Sequence, residues 1–535
     1  MNKQQLFTII KDNLLSKKSL YCFITFIFIF LCYYRYVKVM FFDTDEGDIF
    51  AGGFALSKGF LLYKDFLSQH TPISYFVSAF FHLLGAHSVY WQRVCFYALY
   101  SLAFTWIIFH YSKKNINYLI LLFCPLFFVT VIKFIYFSAS ILSEHLTAIG
   151  FLLLYLELYT YNQCAVKKFH TTSCAVISLS LLLTVGTTFV SLFGLAVLFF
   201  GFVFSFFKNY AFVNVKQLLK DLVSHYYLVV LFCAVPWVIL FLYFIATGTL
   251  SDAIYWMYTF NREVYSKYLN GFGSSIILAV RDSIFHFYRF FYSIISSEKF
   301  DISVILEFLL YLFSLMFVIS NFVRKKILLG MVSLLLFPML SIRGIYNFHS
   351  IQCTLILCLF SACYLFEIYC SHLKNHGIKT VVVFFVCILV APYFMDDFHF
   401  PKFRSYTYES TESSLIKRFL GDDDWVWNLA LAHNNEFLSS ERVGLYGFAI
   451  VPWFWEATGM NAVNELKEKG LPKVALYNEN QVVWGYHIKN YASELVEFMN
   501  NNYTRYAGLV YVRNDYYNEL KLLDDYFNYN ADSNF

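Results

Sequence analysis

The chain has 535 residues, 59% of them hydrophobic and 14% charged, with a mean hydropathy of +0.56. Globular proteins carry roughly a quarter charged residues, so there is too little polar material here to clothe soluble domains of this length, and disordered chains are poorer still in apolar residues. What remains is a polytopic membrane protein. Its net charge of +4 hides two unlike parts: residues 1–395 hold 28 Lys+Arg against 16 Asp+Glu, and residues 396–535 hold 12 against 20. The acidic tail makes nucleic acid a poor partner.

Taken in chain order, apolar windows of about 20 residues, the length that crosses ~30 Å of hydrocarbon, predict spans at 19–42, 88–110, 117–138, 141–162, 174–187, 188–207, 226–246, 302–323, 327–342, 349–370 and 378–395. The stretch 174–207 is too long for one helix and short for two, and Gly186-Thr187-Thr188 marks the expected break. Lys3, Lys11, Lys17 and Lys18 precede the first span, and Lys113-Lys114, Lys167-Lys168, Lys208/Lys216/Lys220, Arg324-Lys325-Lys326 and Lys374/Lys379 fall in alternate later connections. Positive residues stay cytoplasmic, which places the N-terminus inside and the tail outside. The first span is long and lacks a small-residue cleavage site, so it reads as a membrane span and not a removable signal.

Two external connections are long, 43–87 and 247–301. In the first, residues 48–58 and 72–85 read as short amphipathic helices, the second opening at Pro72 and stopping at Gly85. Each is too short to span, and a helix lying in the outer interface is the natural assignment. All twelve cysteines precede residue 396 and none has zinc-ligand spacing, so they read as small apolar packers. In the tail, Lys473–Tyr477 and Gly508–Val512 read as buried strands around a Ser-capped helix at Ser493–Asn500, a βαβ rhythm that predicts a small α/β domain without a phosphate-binding glycine loop. Trp425, Trp427, Trp453, Trp455 and Trp484 are rings for packing or for stacking on sugars.

The densest chemistry is Asp43-Thr44-Asp45-Glu46-Gly47-Asp48 at the outer mouth of the first span, a quarter of all acids in residues 1–395. Crowded carboxylates at a low-dielectric border have raised pKa values, and an ionised one beside a substrate hydroxyl serves as general base. The plainer alternative is a solvated helix cap. Asp43 and Asp45 also form a DxD spacing that can hold a divalent cation through oxygen ligands.

The ordered set Asp45-Glu46-Gly47, Ala51, Ala55, Gly59, Leu62-Tyr63-Lys64-Asp65-Phe66, His70-Thr71-Pro72, Leu84-Gly85 and Gln92-Arg93 resembles the first external loop of the GT-C glycosyltransferases. It is most similar to the superfamily of protein O-mannosyltransferases and of the aminoarabinose transferases that act on lipid A. The resemblance implies a GT-C fold: a polytopic α-helical membrane domain over 1–395, of about eleven spans, with a C-terminal extracytoplasmic α/β domain over 396–535. It implies transfer of a sugar from a polyprenyl-phospho-sugar donor to a glycan, lipid or protein acceptor on the non-cytoplasmic face of the membrane, and the abundance of Phe, Tyr and Asn, as in AT-rich bacterial genomes, points to a bacterial inner (plasma) membrane. Asp45 then stands as general base and Glu46 as its polar neighbour. Asp65, His70, Glu144 and Tyr346 are expected to bind substrate. Arg93, Lys133, Arg343 and His349 are expected at the donor phosphate, where a guanidinium offers a planar fork. Asp48 stands where the aminoarabinose transferases often have Arg, so their acceptor and donor-binding geometry are not carried over.

Three rival readings compete with a glycosyltransferase. A lipid-linked-glycan transporter or flippase would bind near the bilayer midplane between inverted repeats, whereas the acids here gather at the outer surface and the halves show no repeat. An oligosaccharide ligase differs only in transferring a whole glycan. A scaffold with a degenerate site would have no need of the Asp45-Glu46 pair.

Overall fold

The structure, a computed structural model, describes residues 17–34, 36–37, 44–132, 141, 143–163, 169–188, 191–207, 215–268, 302–340, 351–371, 410–431 and 434–532. It is mostly helical, with a small sheet region near the C-terminus. In chain order the membrane-portion helices are α1 (Lys17–Tyr34), α2 (Thr44–Ser57), α3 (Ile73–Leu83), α4 (Val89–Ser112), α5 (Tyr118–Ile132), α6 (Ser143–Gln163), α7 (Thr171–Val185), α8 (Leu192–Phe207) and α9 (Val215–Ala246). A helical run over 250–268, α10, follows, with π-helical turns at Tyr255–Thr259 and Asn261–Tyr265. Then come α11 (Ile302–Val323), α12 (Ile327–Leu340) and α13 (Ile351–Ser371).

Helices occupy every expected span except 378–395, which lies outside the described residues, and 174–207 breaks between α7 and α8. Among the described residues three helical segments are long and apolar enough to cross a membrane: Val89–Ser112, Tyr226–Ala246 and Ile351–Ile368. The other apolar helices are shorter, among them Thr171–Val185 and Ile327–Leu340. Among the described residues, then, three of the expected spans meet the length and composition of a membrane-crossing helix. The segment in α9 is apolar on every side, with Val230, Leu231, Val235, Ile239 and Leu242 all more than half exposed. A helix greasy all round is at home in hydrocarbon and costly in water.

The chain divides into two compact units. The first takes Met1–Phe41, Val94–Trp237 and Phe272–Arg404. Its centre is α6, buried along nearly its whole length. Near the N-terminal end of α6, His145 stacks on Tyr100 with ring centroids 5.5 Å apart. Toward its other end Glu157, buried, accepts from Lys114 Nζ at 2.6 Å and from the Tyr111 hydroxyl at 2.9 Å. A charge at that depth is tolerable only when paired and hydrogen-bonded in this way.

The second unit gathers Phe42–Arg93, Val238–Gly271 and Ser405–Phe535, that is, the first loop, the start of the second and the tail. The tail contains α14 (Thr411–Phe419), β1 (Trp425–Leu429), α15 (Asn434–Ser440), β2 (Val443–Leu445), α16 (Pro452–Lys469), β3 (Val474–Tyr477), β4 (Val482–Val483), β5 (Tyr486–His487), α17 (Ile488–Tyr491), α18 (Ser493–Asn502), β6 (Tyr503–Ala507), β7 (Val510–Arg513) and α19 (Tyr517–Asp532). Five strands form one sheet in the order β2-β1-β3-β7-β6. Leu415, Ile416 and Phe419 pack on Val426, Val474, Leu476, Val510 and Val512 as its core.

Two details of the tail differ from expectation. The expected βαβ pairing of Lys473–Tyr477 with Gly508–Val512 is antiparallel in the structure, because α18 leads into β6 and a two-residue turn at Gly508-Leu509 reverses the chain into β7. And Ser493 is not the cap of α18: Ala492 holds that position with no side-chain cap, its N–H already bonded to Ile488 O as the chain leaves α17. The tryptophans also separate. Trp427 is fully buried and donates from Nε1 to Tyr446 O at 3.0 Å, Trp453 is buried, and Trp484 is 53% exposed.

Candidate functional site

The first loop folds as a helix pair. Asp45 and Glu46 fall in the first turn of α2, where the positive end of the helix dipole favours acids. Gly59, with φ of 91°, lies just past the helix end. α2 then lies closely on α3: a Cβ on Gly53 would come within 2.3 Å of Ser78 Oγ and 2.8 Å of the Ala79 nitrogen, and one on Gly52 within 2.6 Å of the Tyr75 ring. Only glycine permits this approach. His82 on α3 ties the pair from the far end by donating Nε2–H to Phe50 O at 3.0 Å, and burial pulls its pKa down to about 4, so it stays neutral.

Glu46 and Arg93, expected in separate roles, form one buried ion pair. Arg93 Nε donates to Glu46 Oε1 at 2.8 Å and Nη2 donates to Oε2, with both residues at most 1% exposed. A planar fork on a carboxylate fixes orientation as well as distance. The start of α2, and with it Asp45, is thereby pinned to the start of α4.

Asp48 sits one turn beyond Asp45, so the two carboxylates share a helix face. Four groups meet around it. Tyr75, fully buried, donates its hydroxyl to Asp48 Oδ2. Ser68 Oγ lies 2.6 Å from that hydroxyl and accepts the His70 N–H at 3.1 Å. Because Tyr75 spends its proton on Asp48, Ser68 must donate to Tyr75, and the string runs one way from the His70 amide to the carboxylate. Burial raises the Asp48 pKa to about 6, opposed by the charge of His70 and the Tyr75 hydrogen bond and assisted by the charge of Asp45. Burial likewise pushes the Tyr75 phenol well up, so it remains a donor.

His70 enters α3 through Thr71 and Pro72. No side chain caps this helix start, which leaves its first-turn N–H groups as donors. The hydroxyls of Thr71 and Ser74, 4% and 3% exposed, find no hydrogen-bond partner among the described residues. Tyr63, at φ 73°, donates its hydroxyl to His70 O at 2.7 Å, and Asn261 of α10 donates to Gln69 O at 2.9 Å. The loop is thus held from two sides.

Asp65 is engaged elsewhere. Its Oδ2 accepts the Leu61 N–H at 2.9 Å, its Oδ1 accepts the Tyr446 hydroxyl at 3.2 Å, and its carbonyl accepts the Tyr446 N–H at 3.1 Å. The Tyr-x-Asp-Phe segment therefore fastens a turn of the first loop to the tail. Glu144 belongs to the first unit, at the start of α6, 8% exposed, with the Ser143 hydroxyl donating to it at 3.4 Å. Asp43, Lys133, Arg343, Tyr346 and His349 lie outside the described residues. Among the described residues no three His, Cys, Asp or Glu side chains converge as a metal ion would require.

The structure thus brings Asp45, Glu46, His70 and Arg93 into one unit with three side chains not expected there as site residues, Asp48, Ser68 and Tyr75. The visible signal for them was the crowding of acids before Pro72 and its flanking Ser, Thr and Tyr residues. No protein-family model matches the chain, and no curated protein matches its sequence.

Proposed function

We propose that the chain is an integral-membrane GT-C glycosyltransferase that moves a sugar from a polyprenyl-phosphate carrier to an acceptor on the extracytoplasmic face of a bacterial inner membrane. In this reading residues 1–395 cross the membrane about eleven times, the N-terminus is cytoplasmic and the tail is external. One grouping carries the proposal: Asp45 and Asp48 one turn apart, with His70 beside Asp48 and, next to His70, an uncapped helix start that holds two buried hydroxyls. A carboxylate pair is what an acceptor hydroxyl needs. An uncapped helix start with a histidine beside it is what a leaving phosphate needs.

In the reaction, Asp45 takes the proton of the acceptor hydroxyl as that oxygen bonds to the anomeric carbon. The bond from that carbon to the carrier phosphate breaks, and its electron pair leaves on the phosphate oxygen, with inversion at the sugar. Glu46 acts through Arg93 to hold Asp45 in place. His70 and the first-turn amides of α3 receive the phosphate charge, with Arg343, Lys133 and His349 as further cations from the resemblance. Asp48 lies between the acidic and cationic halves of this arrangement.

The test is reconstitution in liposomes with radiolabelled polyprenyl-phospho-sugars and membrane extract, comparing wild type with Asp45→Asn. Positioned general bases contribute roughly 10²–10⁴-fold, so label transfer should fall by at least about 10²-fold. Undiminished transfer by the variant would remove Asp45 as base. Movement of labelled carrier across the bilayer without transfer would establish the flippase instead.

A further inference from the structure

The second unit holds a cluster of aromatic rings away from the α2–α3 pair. Trp453, buried at the start of α16, is the backing ring. Around it stand Tyr265 at 5.4 Å, Tyr268 at 5.5 Å and Trp484 at 4.6 Å, and Tyr486 meets Tyr268 edge-on at 5.4 Å. Trp484 and Tyr486 are 53% and 47% exposed. Polar groups adjoin the rings: Glu456 accepts from Lys267 Nζ at 2.6 Å and from the Tyr268 hydroxyl at 2.7 Å.

Two backbone features at this cluster run against local preference. β4 and β5 pair Val483 with Tyr486, so Trp484 and Gly485 form a two-residue hairpin turn. Both have positive φ, 50° and 85°, the type I′ arrangement. The first position of such a turn favours Asn or Gly, and a bulky residue with positive φ is an outlier. The indole packs on Trp453 from this position, yet half of it stays in solvent. On the other side, the π-helical turns of α10 shift the register that delivers Tyr265 and Tyr268 to Trp453, and π turns concentrate at functional positions.

We propose that Trp484, Tyr486 and Tyr268, backed by Trp453, form a carbohydrate subsite that takes neutral sugar rings of a glycan acceptor. The C–H face of a pyranose lies against the electron-rich face of an indole or phenol, and its hydroxyls find a carboxylate and an ammonium in Glu456 and Lys267. A bilayer would have to desolvate that charged pair, whereas a polyol satisfies it. The same helix reaches the candidate active site: Asn261, which bonds the carbonyl next to His70, lies on α10 about 6–11 Å along the helix from Tyr265 and Tyr268. That is the reach of one or two sugar units. Naming the ligand as acceptor rests on the transferase reading, while the binding itself does not.

The test uses the detergent-purified full chain on an array of immobilised neutral and acidic oligosaccharides, with Trp484→Asn as the diagnostic variant. Asn suits the turn, so the hairpin should fold as well or better, and thermal melting checks this. We expect wild type to retain neutral hexose oligosaccharides and the variant to lose retention by about tenfold or more. Tyr268→Phe, which keeps the ring and drops one hydroxyl, should lose less. Equal retention by Trp484→Asn, no retention by wild type, or a variant altered only in vesicle binding or in self-association would each overturn the proposal. A transfer assay on wild type separates the two readings: if wild type transfers no sugar yet binds glycan and Trp484→Asn does not, the transferase reading falls and the subsite stands.

Discussion

Burial keeps Asp48 protonated up to about pH 6, whereas the same carboxyl in an unfolded chain ionises near 3.8. Between those values the folded protein holds a proton that the unfolded chain has released, so this residue's contribution to stability falls as pH rises from about 4 to about 6. Asp48→Asn removes the cost of ionising a buried carboxyl. Thermal melts in detergent should find the variant more stable at pH 7 by ~1–2 kcal/mol, the gap closing toward pH 4. A variant less stable at pH 7 would mean that the hydrogen bonds to Asp48 outweigh its desolvation. The Glu46–Arg93 pair makes the opposite case. Removing either partner strands a buried charge and should cost ~3–5 kcal/mol, whereas Glu46→Gln with Arg93→Gln together should cost less than the sum of the two single changes. A strictly additive double mutant would mean that the two side chains do not act as a pair. The raised pKa of Asp48 was legible in the crowding of acids at 43–48, but its acceptance of the Tyr75 hydroxyl was not, and Glu46 and Arg93 lie 47 residues apart with nothing local to announce their contact.

At the scale of elements, the α2–α3 contact depends on the absence of side chains. Gly53→Ala would drive a methyl into Ser78 and the Ala79 backbone. Because backbone cannot swing aside, the helices must part, at a cost of ~1–3 kcal/mol. Transfer activity should fall along with the melting temperature, since Tyr75 and His70 move with α3. An unchanged melting temperature would show that the two helices are free to separate. Both helices were readable beforehand, near 48–58 and 72–85, because Pro72 and Gly85 punctuate the chain and the apolar spacing is helical. The break in 174–207 was readable for the same reason. The sheet was readable only in part. Val474–Tyr477 and Val510–Arg513 announce themselves as apolar runs, but their antiparallel pairing is decided by the tight turn at Gly508, and β1 and β2 are short strands whose partners lie far along the chain.

At the scale of the whole molecule, composition and charge specified a membrane protein with an acidic tail, and charge placement carries the proposed orientation. A cysteine at exposed Lys521 tests it. All native cysteines precede residue 396, so a tail released by protease reports only position 521. Membrane-impermeant maleimide added to spheroplasts should label it; labelling confined to inverted vesicles would reverse the orientation. The hydrogen bonds from Tyr446 to Asp65 also bear on how the protein is made. They join residues 381 apart in the chain. At ~5–20 residues per second of synthesis, the Tyr-x-Asp-Phe turn waits roughly 20–80 s after emerging before its fastening exists. During that interval the first loop must be held by its own helix pair and by Glu46–Arg93, whose second partner arrives within seconds. A nascent chain stalled before residue 446 should therefore carry a paired α2 and α3 whose 61–66 turn is open to proteolysis, and the completed chain should close it.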